Sequence, residues 1–241
     1  MNKQSNVYTL IYIIVAVVLV GAALAFTSMS LRDKQQANAD ADKMRQILMS
    51  VHKEPESSEV SSTFSELIVK QMYVNSEGTI TFEAPEGDNT VFNTDVASQI
   101  SLPATDRKLP VFVCQLEDGQ TKYILPAYGA GLWGPIWGYI AVGANGSDIY
   151  GAYFSHASET PGLGSEIETP KFAGQFDNKH LIKDGRFIPV EVVKVGQRPT
   201  DENADYVDAI SGGTITSKGV SAMLNNCLNP YSKFLENLSN K

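Results

Sequence analysis

The sequence predicts an α/β (α+β) domain with a mixed or antiparallel sheet and flanking helices, preceded by one N-terminal transmembrane helix. Three features of the chain lead to this prediction. Residues 10–30 are almost entirely apolar and approach the roughly 20 residues that a membrane-spanning helix needs. Short segments rich in β-branched and aromatic residues follow one another in hairpin-like groups between residues 108 and 154. Near the C-terminus, apolar residues recur at helical spacing: Val220, Met223, Leu224, Cys227 and Leu228.

These features divide the 241 residues into four parts. We expect a short tail at residues 1–9, the transmembrane helix at 10–30, a stalk helix and linker at 31–62, and one domain at 63–241. The last part is long enough to bury a substantial core.

The charge and the reactive residues exclude several functions. A formal net charge of −8 argues against nucleic acid as a partner, because a phosphate backbone needs a basic face. The three histidines are isolated in sequence, so no metal site is predicted. No Ser-His-Asp or Cys-His arrangement for hydrolysis is evident, and no catalytic residue is assigned. Cys114 and Cys227 are compatible with one disulfide or with two buried thiols.

The N-terminal segment contains no charged residue from Gln4 to Leu31. A cleaved signal peptide is the alternative, since Ala23-Leu24-Ala25 resembles a cleavage site. The apolar region of a signal peptide usually has only about 7–15 residues, so the length of this segment favours a helix that stays in membrane lipid. The basic residues that follow the segment favour a cytoplasmic domain by the positive-inside rule, although long domains often translocate regardless of charge.

Beyond the membrane segment, local patterns predict individual elements. One apolar stripe, typical of a helix, is formed by Ala37, Ala41, Met44, Leu48 and Val51. Thr63 to Glu66 fits a capping box for a short helix through Met72. Asp118-Gly119 predicts the turn of a hairpin between 111–114 and 122–125. We also expect strands at 136–142, 149–154 and 186–195.

Residues 129–134 formally match the dinucleotide fingerprint Gly-x-Gly-x-x-Gly. That fingerprint needs a helix directly after its third glycine. Here Pro135 and a strand-like segment follow, so the sequence predicts no dinucleotide site at this position.

The segment from Ser211 to Ser217 places hydroxyl groups behind two glycines and at the start of the predicted C-terminal helix. Glycines let a ligand approach the backbone, and a helix N-terminus favours a phosphate. From these residues alone, a plain turn with capping hydroxyls is the alternative. We expect Thr216 and Ser217 to act as caps.

Three blocks of sequence together resemble one family. Asp208 to Thr214 resembles the flavin-attachment motif Asp-x-x-Ser/Thr-Gly-Ala-Thr of the FMN-binding domains in ion-pumping redox complexes. Glu159 to Gly164 and Gly131 to Tyr139 resemble two further blocks of the same family, and they occur in the family's order. With the membrane segment, the chain is most similar to the family of C subunits of sodium-translocating NADH:quinone oxidoreductases.

The resemblance implies FMN joined covalently, by a phosphodiester, to Thr214, with Thr216 as the second choice. Ser211, Gly212, Gly213 and Ile215 would shape the phosphate end of the site. The loop residues Glu159, Thr160, Gly162, Leu163 and Gly164 would face the flavin ring, and Trp133 would form a wall of the pocket. The chain departs from the family at Gly213, where the family usually has alanine.

The resemblance also implies partners and a location. A flavin transferase would attach the flavin from FAD with magnesium, and other subunits of a membrane redox complex would bring electrons from NADH and pass them to quinone. The domain would lie on the extracytoplasmic side of the bacterial inner membrane. Three alternatives remain: the homologous FMN subunit of a ferredoxin-linked electron transport complex, a flavin-free anchored scaffold module, and a stand-alone extracytoplasmic reductase.

Overall fold

A computed structural model describes residues 6–240. A six-stranded sheet forms the centre of the domain. Its strands are β1 (Ile68–Val74), β2 (Ile80–Glu83), β3 (Leu109–Gln115), β4 (Thr121–Ala130), β5 (Pro135–Gly143) and β6 (Ile149–His156). They are ordered β2-β1-β3-β4-β5-β6, and every neighbouring pair is antiparallel. The predicted fold class, helices around a mixed or antiparallel sheet, is confirmed.

Shorter elements surround this sheet. Two small strand pairs lie outside it: β7 (Ile182–Lys183) with β8 (Arg186–Phe187), and β9 (Glu191–Val193) in parallel with β10 (Tyr206–Asp208). The helices are α1 (Asn6–Met49), α2 (Val60–Leu67), α3 (Val96–Ile100), α4 (Pro170–Ala173), α5 (Thr214–Leu228) and α6 (Ser232–Ser239). Four 3-10 turns connect them, at Ala104–Asp106, Gly164–Glu168, Gly174–Phe176 and Asn229–Tyr231.

Within residues 6–240, α1 is the one helix long and apolar enough to cross a membrane. The chain through Lys43 forms one compact unit, and the chain from Met44 onward forms a second. Inside the second unit, Leu48 and Val51 are buried, as the apolar stripe predicts, and Met44 packs against the same cluster. The end of α1 is therefore part of the domain core.

The core has one cluster on each face of the sheet, because successive side chains of a strand point to opposite faces. Along β3, Val111 and Val113 belong to the cluster beneath α5, whereas Phe112 and Cys114 belong to the cluster with α2 and the end of α1. Cys227 lies in the α5 cluster, so the two thiols are on opposite faces and both are free. Burial raises the pKa of the Cys114 thiol to about 11, which keeps it protonated and unreactive at neutral pH.

Most predicted helices and strands agree with the structure, and two of them have the wrong bounds. The hairpin is confirmed, with Phe112 opposite Ile124 and Gly119 at a φ of +81°. The helix predicted from Thr63 instead spans Val60–Leu67, because the residues from Ile68 onward pair with β3 as a strand. Residues 186–195 form parts of two different strand pairs rather than one strand, and Pro189, which has no N–H to donate, lies between them.

A close approach between α5 and β4 places the helix start beside the β4–β5 turn. A Cβ on Gly219 would overlap the carbonyl oxygen of Ala130. A Cβ on Gly129 would lie 2.7 Å from the Cβ of Met223. Only glycine allows this contact distance, so both positions require it.

Candidate functional site

The buried carboxylate of Glu159 joins the three motifs identified in the sequence. Its side chain is 5% exposed. One oxygen, Oε1, accepts a hydrogen bond from the backbone N–H of Trp133 at 2.8 Å. The other, Oε2, accepts one from the hydroxyl of Thr216 at 2.6 Å. A single side chain thus connects the β4–β5 turn, the loop after β6 and the first turn of α5.

Two glycines make room for this carboxylate. A Cβ on Gly131 or on Gly164 would overlap an oxygen of Glu159, and at Gly164 it would also lie 2.5 Å from the Thr216 hydroxyl. Packing around Glu159 therefore explains both glycines, whether or not a ligand is bound.

A histidine outside the predicted site residues supports Glu159 from behind. His156 Nδ1 accepts the backbone N–H of Glu159 at 3.2 Å, and its Nε2 lies 3.7 Å from a Glu168 oxygen. The other Glu168 oxygen accepts the hydroxyls of Tyr153 and Ser155. The isolated position of His156 in the sequence does not predict this contact, and the one available signal is that it lies three residues before Glu159.

The start of α5 has no side-chain cap. Its N-cap residue is Gly213, and Thr214, the first helical residue, is exposed. The expectation that Thr216 and Ser217 are caps is wrong, because Thr216 donates to Glu159 and the Ser217 hydroxyl accepts the N–H of Ile210 at 3.0 Å. The first N–H groups of a helix have no partner within it, so this end can receive an anion.

The two glycines before Thr214 differ in what they require. Gly212 has a φ of +78°, and a Cβ there would lie 2.6 Å from the Leu163 side chain. Gly213 has a φ of −102°, which any residue can adopt. An alanine at Gly213, as in the family motif, would be a tight fit, because its methyl would lie 3.0 Å from Ile210 Cγ2 and 3.3 Å from the carbonyl oxygen of Leu163.

Apolar side chains near this helix start point outward. Trp133 is 65% exposed, Leu163 is 42% exposed and Ile215 is 57% exposed. Leu163 lies against Gly212, and Ile215 directly follows Thr214. An apolar surface beside an exposed hydroxyl and an uncapped helix end suits a ligand with both a flat ring and a phosphate.

Two N–H groups of the loop from Glu159 to Gly164 have hydrogen-bond partners close by in the chain. The N–H of Gly162 donates to the Ser165 hydroxyl at 3.1 Å, and the N–H of Leu163 donates to the carbonyl of Thr160 at 3.1 Å. These two N–H groups are satisfied within the chain, because the Pro161-Gly162 turn closes on itself.

A cavity of about 560 Å³ opens beside this loop and beside the segment that precedes α5. Gly162 and Ser211 both line it, and Lys171 contributes a cation among acidic neighbours that include Glu166 and Asp208. Within residues 6–240, no cluster of three or more His, Cys, Asp or Glu side chains is arranged to hold a metal ion.

The fold and this arrangement of motifs define a flavin-binding class of protein, and residues 131–229 match the family model of the FMN-binding domain. The chain is 30% identical over 234 residues to the C subunit of the Na(+)-translocating NADH-quinone reductase of Vibrio anguillarum, covering 91% of this chain and 89% of that protein. The corresponding subunit of Yersinia pestis is also 30% identical, covering 98% and 94%.

Solved structures agree with these relatives. The C subunit of the Na(+)-translocating NADH-quinone reductase from Parabacteroides distasonis is 49% identical, with a TM-score of 0.75 over 85% of this chain and 96% of that one. NqrC of Shewanella oneidensis is 26% identical, with a TM-score of 0.65 over 85% and 100%. The chain belongs to the NqrC family, the C subunits of Na(+)-translocating NADH-quinone reductases, which confirms the predicted family and enzyme class.

Proposed function

We propose that Thr214 carries FMN through a phosphodiester, and that the domain relays electrons inside a sodium-translocating NADH:quinone oxidoreductase. One observation carries the choice of residue. The Thr214 hydroxyl is exposed at the uncapped N-terminus of α5, whereas Thr216, two residues later, is 1% exposed and bonded to Glu159. Only the first hydroxyl is accessible to a modifying enzyme.

The residues present fit a flavin phosphate. The N–H groups of the first turn of α5 and the helix dipole stabilise negative charge at Thr214. Gly212, held in the left-handed region, turns the chain sharply before the helix and brings no side chain of its own to the phosphate. Ser211 and Gly213 complete this turn, and the Ser211 side chain is exposed.

The residues around Thr214 also fit the flavin ring. We define the flavin cradle as residues 131–133, 159–164 and 210–217. In it, Trp133, Leu163 and Ile215 offer exposed apolar surface, and an indole favours stacking with a flat aromatic ring. Thr160, Gly162 and Gly164 shape the loop that holds Leu163 against the helix start, and Glu159 lies behind them.

The attachment step uses the Thr214 hydroxyl as the nucleophile. Its Oγ forms a bond to the flavin-side phosphorus of FAD, the pyrophosphate bond breaks, AMP leaves, and the hydroxyl proton passes to solvent or to the transferase. Within the part of the chain that the structure describes, no His or carboxylate side chain accepts a hydrogen bond from the Thr214 hydroxyl, so no neighbouring side chain acts as its base. A partner flavin transferase with magnesium therefore supplies the activation.

FMN supplies the electron chemistry, and the protein supplies binding and orientation. The cradle holds the flavin at the surface, where other subunits of the complex can exchange electrons with it. We assign no NADH site to residues 129–134, because they lead into strand β5 and not into a helix N-terminus. The electrons come from NADH and go on to quinone through neighbouring subunits.

We place the membrane anchor within residues 10–30. The stalk and linker expected at residues 31–62 share their part from Met44 onward with the compact unit that contains the domain core. The apolar part of α1 supports the anchor. The extracytoplasmic location of the domain rests on the family resemblance, since the basic residues after the anchor favour the opposite side. Covalent attachment suits that location, because a dissociated cofactor would be lost outside the cell.

The test is Thr214→Val in the full chain, expressed with a flavin transferase. Valine matches the shape of threonine but lacks the nucleophilic oxygen, so we expect complete loss of flavin fluorescence in a denaturing gel. Mass spectrometry of the peptide spanning residues 208–218 should show added FMN in the wild type alone. Thr214→Ser, which keeps a hydroxyl, is the matched control and should retain measurable flavin.

Two results would contradict the proposal. Fluorescence that survives Thr214→Val would move the attachment elsewhere in the chain. A wild-type protein that stays colourless with an active transferase would favour the flavin-free scaffold instead.

A further inference from the structure

We infer that Glu159 is a positioning residue of the flavin cradle: it fixes the backbone that carries Trp133 and withholds the Thr216 hydroxyl, which leaves Thr214 as the acceptor. The inference rests on the proposed function and assigns a role within that site. It also replaces the expectation that Glu159 itself faces the flavin ring.

The first argument is the complete use of the carboxylate inside the protein. Each oxygen accepts one short hydrogen bond, from Trp133 N–H and from Thr216 O–H, and the side chain is buried. Gly131 and Gly164 leave no space between the carboxylate and the backbone on either side. Trp133 and Leu163 are exposed to a ligand at the surface, whereas Glu159 is almost completely covered.

The second argument is how Trp133 is held. Its N–H donates to Glu159 at 2.8 Å, and its carbonyl accepts the Ser158 hydroxyl at 2.8 Å. Ser158 and Glu159, which are neighbours in the loop after β6, thus bind both the carbonyl and the N–H of Trp133. The indole itself is mostly exposed, so its position depends on this backbone anchorage rather than on packing.

The third argument concerns the choice between two threonines. Each residue of an α-helix is rotated by about 100° from the one before it, so residues two positions apart point to nearly opposite sides of the helix. Thr214 therefore faces solvent while Thr216 faces Glu159, and the Thr216 proton is committed to a buried carboxylate. His156 accepts the backbone N–H of Glu159, which is a further hydrogen bond that fixes this residue.

The first experiment needs no flavin. In the full chain in detergent, amide hydrogen exchange at Trp133 is compared among wild type, Glu159→Ala and Glu159→Gln. We expect exchange at least about tenfold faster in the alanine variant, because a hydrogen bond to a charged acceptor is lost. Glutamine keeps an oxygen for Trp133 N–H and offers an N–H to the Thr216 oxygen, so its exchange should stay near wild type. Equal exchange in wild type and Glu159→Ala would overturn the inference.

The second experiment uses the flavin-loaded full chain and a double-mutant cycle. An indole close to a flavin quenches its emission, so we expect Glu159→Ala to raise native flavin emission at least about twofold. Glu159→Gln should restore the wild-type level. In a Trp133→Leu background, Glu159→Ala should have no further effect. An equal rise in that background, or equal effects of alanine and glutamine, would indicate a role of the Glu159 charge and would overturn the positioning role.

The two experiments separate the inference from the proposed function. If wild type carries no flavin on Thr214, the proposed function fails, and the exchange experiment still decides whether Glu159 fixes Trp133. If wild type carries flavin on Thr216, the assignment of Thr216 as a withheld hydroxyl fails. Flavin on Thr214 together with slow, Glu159-dependent exchange at Trp133 supports both.

Discussion

Two concave regions border strand β6, and they differ in whether the oxygens of a buried carboxylate have hydrogen-bond donors. In the flavin cradle, both oxygens of Glu159 have hydrogen-bond donors. The second region, which we call the His52 cavity, has a volume of about 330 Å³ and is lined by residues that include Met49, His52, Glu168 and Asp177. There, Asp177 Oδ1 is buried without a hydrogen-bond partner, one of two such side-chain atoms within residues 6–240.

The difference lies in how the two regions are packed and how their polar atoms are paired. The cradle is closely packed, it brings together three motifs distant in sequence, and its glycines are explained by contacts with Glu159 and Leu163. The His52 cavity, by contrast, contains a buried polar atom without a hydrogen-bond partner. A buried polar atom costs free energy unless it has a hydrogen-bond partner. Both oxygens of Glu159 have such a partner, so the geometry around Glu159 is more tightly fixed than that around Asp177.

The largest effect on this comparison should come from Gly212→Ala. The substitution forces a left-handed φ on alanine and pushes its methyl into Leu163, which together should cost about 2 kcal/mol or more of unfolding free energy. Flavin attachment should fall with it, because the turn before Thr214 is distorted. Urea denaturation and in-gel flavin fluorescence measure the two effects.

Gly213→Ala is the matched control for that change. Its φ of −102° suits alanine, so we expect a change of less than about 1 kcal/mol and normal flavin attachment. If both glycine variants behave alike, the left-handed turn is not what shapes the start of α5.

A smaller effect is expected from Thr216→Val, which leaves Glu159 Oε2 without a donor. A buried acceptor that loses its partner costs about 1–3 kcal/mol, so the cradle would come to resemble the His52 cavity. Flavin should still attach to Thr214.

The corresponding Thr214→Val should change the unfolding free energy by less than about 0.5 kcal/mol, because that side chain is exposed. Opposite phenotypes for the two threonines are the expected result, and loss of flavin in Thr216→Val would contradict it.

The smallest effect is expected from Asp177→Asn in the His52 cavity. Burial raises the pKa of the Asp177 carboxyl, and His52, 3.6 Å away, partly opposes this. A carboxyl with a raised folded-state pKa destabilises the protein above that pKa, and the penalty disappears as pH falls through it towards the unfolded value. Asparagine removes the charge, so at neutral pH we expect a gain of about 0.5 kcal/mol or less, since solvent at the cavity mouth screens the charge.

Thermal unfolding at several pH values measures this gain. The advantage of Asp177→Asn over wild type should shrink as pH falls, because the wild-type carboxyl then becomes neutral as well. A variant that is less stable than wild type at neutral pH would mean that the ion pair with His52 outweighs the burial penalty.

Much of the cradle is predictable from local sequence. Gly131, Glu159, Gly164 and Thr214 all lie in motifs that are recognisable in the sequence, and the helix after Thr214 follows from its apolar spacing. His156 is not predictable in this way. Its role depends on a hydrogen bond to the backbone of Glu159, which leaves no periodic or compositional pattern.

Local sequence also misjudges the region from Thr63 to Met72. The capping-box pattern there favours a helix, yet residues from Ile68 onward extend and pair with β3. Strand pairing between residues some forty positions apart outweighs a local helix preference, because it satisfies a full row of backbone hydrogen bonds and buries Met72 and Val74.

By itself, the sequence determined the long apolar helix near the N-terminus, the hairpin of β3 and β4, the amphipathic helix α5 and the glycines that precede it, because each depends on residues close together in the chain. Only the tertiary structure decided which hydroxyl is accessible. Thr214 and Thr216 look interchangeable in the sequence, and they differ because a carboxylate 57 residues away in the chain is buried against one of them.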